Sequence, residues 1–252
     1  MKKLKKPLLF TLELLPLVII GTYFAARFSI ASLDKSVLDE AIAVFGSKDT
    51  VILISTVQPI IMISLCAFFG YIIADKIGLI RPLRFEKSKL IRVIAISVIG
   101  GVILSLDAWT FAKWIPQLNT GTAYEGTFNA DTWIASVLYG GIAEEVIMRL
   151  FCMSLFTLIL YKLFYRKKEE IPSKAFIIAN VFSAILFAAG HLPSTIVLFG
   201  GLTPMITMRC FILNGAAGLL FGRFYRKYGL HYAIPAHMIF HIVSRTIWII
   251  AF

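Results

Sequence analysis

The chain has 252 residues, 59% of them hydrophobic and only 15% charged, with a formal net charge of +11. A soluble domain carries about 25% charged residues, so a water-soluble globule is excluded. Several apolar runs reach the ~20 residues that cross a bilayer, which predicts an all-α fold: a polytopic transmembrane helical bundle with about seven (six to eight) spans. It forms a single integral membrane domain over 1–252.

The first run, 7–31, follows "MKKLKK". It is long for a signal-peptide core and lacks a small-x-small cleavage pattern, so it is expected to stay as a first helix with its N-terminus in the cytoplasm. "IASLDKSVLDEAIAVFG" has spaced apolar residues suited to a helix lying on the outer surface. Further spans are predicted at 51–74, 91–112, 131–164, 174–191, 195–222 and 230–252. "LFGGLTP" at 198–204 interrupts the sixth, making 195–203 a short half-helix that lines a cavity.

Of the 25 basic residues, 18 lie in the N-terminal run, 75–92, 162–174 and 223–227. One topology puts all four stretches on the same side, the positive-inside pattern. The charge therefore reads as anchoring to anionic headgroups of the lipid bilayer, with no nucleic acid as partner. The opposite loops carry Lys35, Lys48 and Lys113 among Asp34, Asp39, Glu40, Asp49 and Glu125. Trp109, Trp114 and Trp133 fall towards the outside, and Tyr161, Tyr165, Tyr225 and Tyr228 towards the inside, as interface belts do. Seven spans leave the C-terminus outside. Cys66, Cys152 and Cys210 stand singly in apolar segments, so packing is expected of them rather than disulfides.

"GGIAEEVIMRLF" (140–151) sets two adjacent acids within an apolar helix. Residues four apart share a helix face and adjacent ones diverge by about 100°. Glu145 therefore stacks on Arg149, while Glu144 projects elsewhere and is left for general-base chemistry. The plainer alternative makes both acids structural partners of Arg149, Arg209 or Arg245. Intramembrane ionisable groups usually face the bundle interior or a wet cavity, which favours the functional reading. Gly140 and Gly141 suit close helix packing.

The chain has four histidines. "FAAGH" ends the fifth span with His191 one turn after Phe187, and "HMIFH" puts His237 and His241 on one face of the last helix. His231, at the entry of that helix, has no catalytic role. Counted at ~1.5 Å per residue, Glu144, His237 and His241 agree on a site near the centre or inner half of the membrane. His191 falls closer to ~25 Å from the inner end, a mismatch in depth. Asn214 in "FILNGAAGLLFG" is expected to bind substrate backbone or to bond between helices. No serine or cysteine has a base beside it, so a covalent nucleophile is disfavoured.

The ordered set EExxxR, FxxxH and HxxxH on apolar helices resembles the CAAX-protease and bacteriocin-processing (CPBP) family of intramembrane endopeptidases, which includes the type II CAAX prenyl endopeptidases. The resemblance spans roughly 131–245. It implies that Glu144 activates water, with Glu145 and Arg149 as structural companions. It further implies that His191, after Phe187, works with Glu144, and that His237 stabilises the oxyanion. The family usually has Asn or Asp where this chain has His241, whose imidazole can also donate a hydrogen bond. Glu144, His191, His237 and His241 are, alternatively, an N/O ligand set for a divalent metal such as zinc, although HExxH is absent. Metal-free glutamate–histidine catalysis is slightly favoured.

The expected substrate is a membrane-associated or lipophilic peptide or protein. The short lysine-rich N-terminus looks bacterial, which points to processing of small secreted peptides, or self-protection against them, at the cell membrane. Two alternatives stay open: a non-catalytic bacteriocin-immunity or binding protein, and a small proton- or metal-coupled transporter. The sequence leaves the oligomeric state unassigned.

Overall fold

The computed structural model describes residues 2–119, 124 and 128–252. The described elements are helical throughout, as the bilayer demands of backbone that has no water to bond. Nine main helices follow in chain order: α1 (Lys2–Ala31), α2 (Lys35–Phe45), α3 (Lys48–Lys76), α4 (Lys87–Ser105), α5 (Ala130–Tyr165), α6 (Ser173–Gly190), α7 (Leu192–Phe199), α8 (Pro204–Tyr228) and α9 (Leu230–Ala251). Short turns at Leu106–Trp109, Phe111–Trp114 and Pro116–Asn119 follow α4. Among the described residues, seven stretches are long and apolar enough to cross a membrane. Their order and number match the expected spans.

The break in the sixth span falls differently from expectation. Leu192–Phe199 continues the fifth span as α7, and the chain reverses through Gly200 (φ 72°) and Gly201 (φ 154°). Both glycines lie at positive φ, which L-residues with a Cβ rarely adopt. Thr203 then caps α8, its hydroxyl accepting from the Ile206 amide, and Pro204 occupies the first turn. Proline fits there because that N–H has no intrahelical partner. The sixth span therefore begins at Pro204, and 195–199 belongs to the preceding arm. The helix expected between the first two spans is present as α2, and none of its residues is buried.

α5 is the central post. α1, α3, α6 and α9 all pack against it, while α4 pairs with α9 and α8 with α6. Its buried face presents Val146, Leu150 and Met153 to Ile63 and Ala67 of α3, Phe221 and Tyr225 of α8, and Ala236 of α9. Ser154 of α5 and Tyr225 of α8 bond hydroxyl to hydroxyl at 2.8 Å in this core. Outward faces carry large apolar side chains such as Leu12, Ile61, Leu65, Ile103 and Phe182, which suits a hydrocarbon surround. Part of α5 is wound as π-helix, over Ala135–Glu144 and Val146–Met153, a form often found at functional sites.

The end of the bundle away from the basic loops is closed by a charge cluster that sequence reasoning did not single out. Asp107, 1% exposed, accepts from Arg209 Nε at 2.9 and 3.1 Å, and Arg209 NH2 also bonds Asp107 Oδ2. The Tyr124 hydroxyl donates to Asp107 Oδ2 at 2.6 Å. Burial, then the neighbouring Asp107, pushes that hydroxyl well above the ordinary phenol range, which keeps it a donor. Trp248 Nε1 donates to the Ser105 carbonyl at 3.0 Å, and the Tyr124 ring meets Trp248 edge-on. The cluster ties the segment after α4 to α8 and α9.

Removing one partner of such a buried pair strands the other, at about 3–5 kcal/mol. Asp107→Ala is therefore expected to lower thermal stability in detergent markedly. Tyr124→Phe, which removes one hydrogen bond, should cost about 1 kcal/mol. Equal and small shifts in the two melting curves would contradict this account of the clasp.

Candidate active site

The site is built outward from α5. Glu145 and Arg149 are both fully buried, with Arg149 Nε 3.3 Å from Glu145 Oε2, the four-residue stack expected from the sequence. Arg149 is further held by the Ser183 hydroxyl, which accepts from NH1 at 3.1 Å and donates to the Met148 carbonyl at 2.7 Å. Its guanidinium also lies 5.1 Å from the centre of the Phe187 ring, a cation–π contact. Arg149 thus meets α6 at two residues one turn apart.

The other oxygen of Glu145 turns to α9, where His237 Nδ1 lies 3.0 Å from Oε1. The imidazole is stacked on Phe221 of α8 at 4.3 Å and 20°, and meets Phe187 edge-on at 5.9 Å. Carboxylate, stacking ring and edge contact together leave His237 one orientation, at 3% exposure.

Glu144 points elsewhere, as adjacent residues on a helix must. Its side chain is 20% exposed, with Oε1 3.9 Å from His191 Nε2 and Oε2 3.9 Å from His237 Nε2. His191 stands at the junction of α6 and α7, and its Nδ1 is 2.8 Å from the Phe187 carbonyl. The carbonyl can only accept, so Nδ1 donates to it and the ring turns Nε2 towards Glu144. The Thr195 hydroxyl donates back to the His191 carbonyl at 2.7 Å and fixes the junction.

The depth mismatch of His191 disappears in the fold. α5 runs far past the site, and Tyr165 and Ser173 flank the turn that joins it to α6. Counted from that turn, Glu144 is 21 residues back from Tyr165 and His191 is 18 forward from Ser173. These are nearly equal heights. The outer end of an over-long helix was the wrong origin.

His241, one turn after His237, stacks on it at 4.8 Å, and the two Nε2 atoms are 3.0 Å apart. Gly140 of α5 makes room for this, because a methyl group there would come within 2.9 Å of His241 Nε2. Gly141 is pressed in the same way by Met238. The two glycines let α9 close on the stretch of α5 that carries Glu144 and Glu145.

The other candidates divide. Asn214 donates through Nδ2 to the Cys210 carbonyl at 3.0 Å, one turn earlier in its own helix, so its described bonds do not run between helices. Of the arginines considered as partners for the acids, Arg149 takes Glu145, Arg209 takes Asp107, and Arg245 lies over Trp248. Ser183 and Phe221 were missed. The stripe Ser183–Phe187–His191, spaced by four, was the available signal for the first, and nothing local marked the second. Among the described residues, no group of three or more His, Cys, Asp or Glu side chains is arranged to hold a metal ion. His237 and His241 bring their Nε2 atoms to 3.0 Å of each other, and Glu144 stands 3.9 Å from His191 and His237.

Fold and site together define a polytopic membrane protein with an interior glutamate–histidine centre. Residues 127–243, just under half of the chain, match the family model described as type II CAAX prenyl endopeptidase Rce1-like. That matched segment carries Glu144, His191, His237 and His241. No curated protein and no solved structure matches the chain.

The buried pair yields a stability prediction. Arg149→Met should cost about 3–5 kcal/mol by stranding Glu145. The double variant Glu145→Leu/Arg149→Met should recover part of that loss, since an apolar replacement of both partners is often neutral. Thermal unfolding in detergent measures the cycle, and a double variant as unstable as the sum of the singles would refute the coupling.

Proposed function

We propose that this protein is an endopeptidase that hydrolyses a peptide bond of a membrane-associated or lipophilic substrate with a water molecule activated by Glu144. One observation carries the reading. Of two adjacent glutamates, Glu145 is sealed and paired with Arg149, whereas Glu144 is partly open and lies between two imidazoles at 3.9 Å each. These gaps exceed direct hydrogen-bond reach and are of the kind that tighten once substrate is bound.

Water held between Glu144 and His191 loses a proton to the Glu144 carboxylate and attacks the scissile carbonyl. His237 and His241 face the resulting oxyanion, a contribution worth about 3–4 kcal/mol per donor in comparable sites. The protonated Glu144 then passes its proton to the leaving amine, and the carboxylate is restored. No step is routed through a metal. The basic loops orient the chain with its N-terminus in the cytoplasm and draw it to anionic lipid. A small secreted-peptide precursor is the preferred substrate class, and a prenylated C-terminal segment is the class the family description names.

The test uses the whole protein in proteoliposomes with two quenched-fluorescence peptides, one with a leader-like apolar segment and one with a farnesylated CAAX terminus. Cleavage of either is expected to fall at least 10²-fold in Glu144→Gln and in His237→Ala, with insertion and melting temperature retained in Glu144→Gln. Cleavage undiminished in both variants would overturn the mechanism. Tight binding of uncleaved peptide would favour an immunity or binding protein, and peptide-independent proton or metal flux lost in the same variants would favour a transporter.

A chelator challenge makes a separate prediction. Dialysis against a strong divalent chelator should leave the cleavage rate unchanged. A loss restored by zinc would instead assign a metal to the site.

A further inference from the structure

One face of α3 looks out of the bundle, and it is not uniformly apolar. Ile54, Ile61 and Leu65 are 39%, 57% and 53% exposed, and Gln58 is exposed among them. At 100° per residue the four side chains fall within about 60° of one another. Ile63, Ala67, Gly70 and Ala74 lie buried on the opposite face, where Ile63 and Ala67 join the core around α5.

Gln58 is ten residues into the span Lys48–Lys76. That is about 15 Å along the helix axis, in the hydrocarbon layer rather than at headgroup level. Among the described residues, no hydrogen bond reaches its carboxamide. Two residues earlier, by contrast, the Thr56 hydroxyl donates to the Ile52 carbonyl at 2.7 Å. Pro59, next in the helix, has no N–H to give the Ser55 carbonyl. Lipid tails offer a carboxamide neither donor nor acceptor, so leaving it bare at this depth is costly.

We propose that this stripe is a self-association surface, on which a second copy of the chain pairs its Gln58 with this one across a two-fold axis. Copies inserted with the same topology hold equal residues at equal depth. An axis along the membrane normal therefore brings the two carboxamides face to face. Each amide has two N–H donors and a carbonyl acceptor, so each donates to the other and both are satisfied. Such self-complementarity is what an isologous interface requires. The spacing fits as well. Ile54, Gln58, Ile61 and Leu65 step by four, three and four residues, the seam of a left-handed helix pair, in which a single polar position fixes register. A shallow hollow lined by Leu53, Ile54, Val57, Gln58 and Ile61 gives the partner's side chains a place to enter. The stripe is turned away from α5, so association here does not depend on the chemistry at Glu144.

The test uses the whole protein, labelled at its N-terminus with donor or acceptor fluorophore and diluted in phosphatidylcholine liposomes. Energy transfer against the protein-to-lipid ratio should show wild type passing from dimer to monomer. Gln58→Leu keeps the bulk and removes the amide, and should move the midpoint about tenfold towards monomer. Crosslinking locates the surface. With Cys66, Cys152 and Cys210 replaced by alanine, Ile61→Cys should join to itself between copies, whereas Ile103→Cys, exposed on α4, should not. Wild type that stays monomeric at every ratio would overturn the dimer. So would Gln58→Leu that associates as tightly as wild type, or equal crosslinking at the two positions. Capture of a labelled transmembrane peptide by monomeric protein, lost in Gln58→Leu, would also overturn it and assign the amide to a different helix.

Discussion

The arrangement depends on one buried ion pair. Arg149 and Glu145 neutralise each other at 3.3 Å in a part of the bundle that excludes solvent. An unpaired charge there would cost several kcal/mol. Because Glu145 has two oxygens, it answers Arg149 with one and His237 with the other. The acid that could not have been left alone in the interior thereby becomes the fixture that orients an imidazole on another helix. Ser183 and Phe187 carry the fixture to a third helix, and Phe221 to a fourth.

What this framework leaves over is Glu144. The helix sends it away from Arg149, and the bundle gives it two histidines and a share of open space. Two neighbouring carboxylates thus take different environments within one turn of α5: one fully buried and paired, one partly exposed. The similarity of residues 127–243 to the type II CAAX prenyl endopeptidase family model agrees with this division.

Much of this was legible in the sequence because it depends on helical spacing alone. The Glu145–Arg149 stack, the divergence of Glu144 and the shared face of His237 and His241 follow from about 3.6 residues per turn, and the spans follow from apolar length. Pairings between helices did not follow. Asp107 and Arg209 each sit alone in an apolar run, and nothing in either run names the other. Phe221 reads as one of 21 phenylalanines until α8 lies beside α9. The mismatch in depth of His191 arose because Glu144 was counted from the outer end of α5 and His191 from the turn at its inner end, although the helix itself, Ala130–Tyr165, has the expected length. The Gly200–Gly201 reversal was visible as a break, but its side was not, since a half-helix fits either neighbour until the chain direction is known.

The central claim is that two adjacent carboxylates are inequivalent, and a lipophilic carbodiimide reads that difference directly. Treated in intact membranes and mapped by mass spectrometry, the protein should be modified at Glu144, whose side chain is part exposed, and spared at Glu145, whose side chain is fully buried. Inactivation should follow the extent of labelling at Glu144. Labelling that reaches Glu145 first, or both residues equally in the folded protein, would contradict the account.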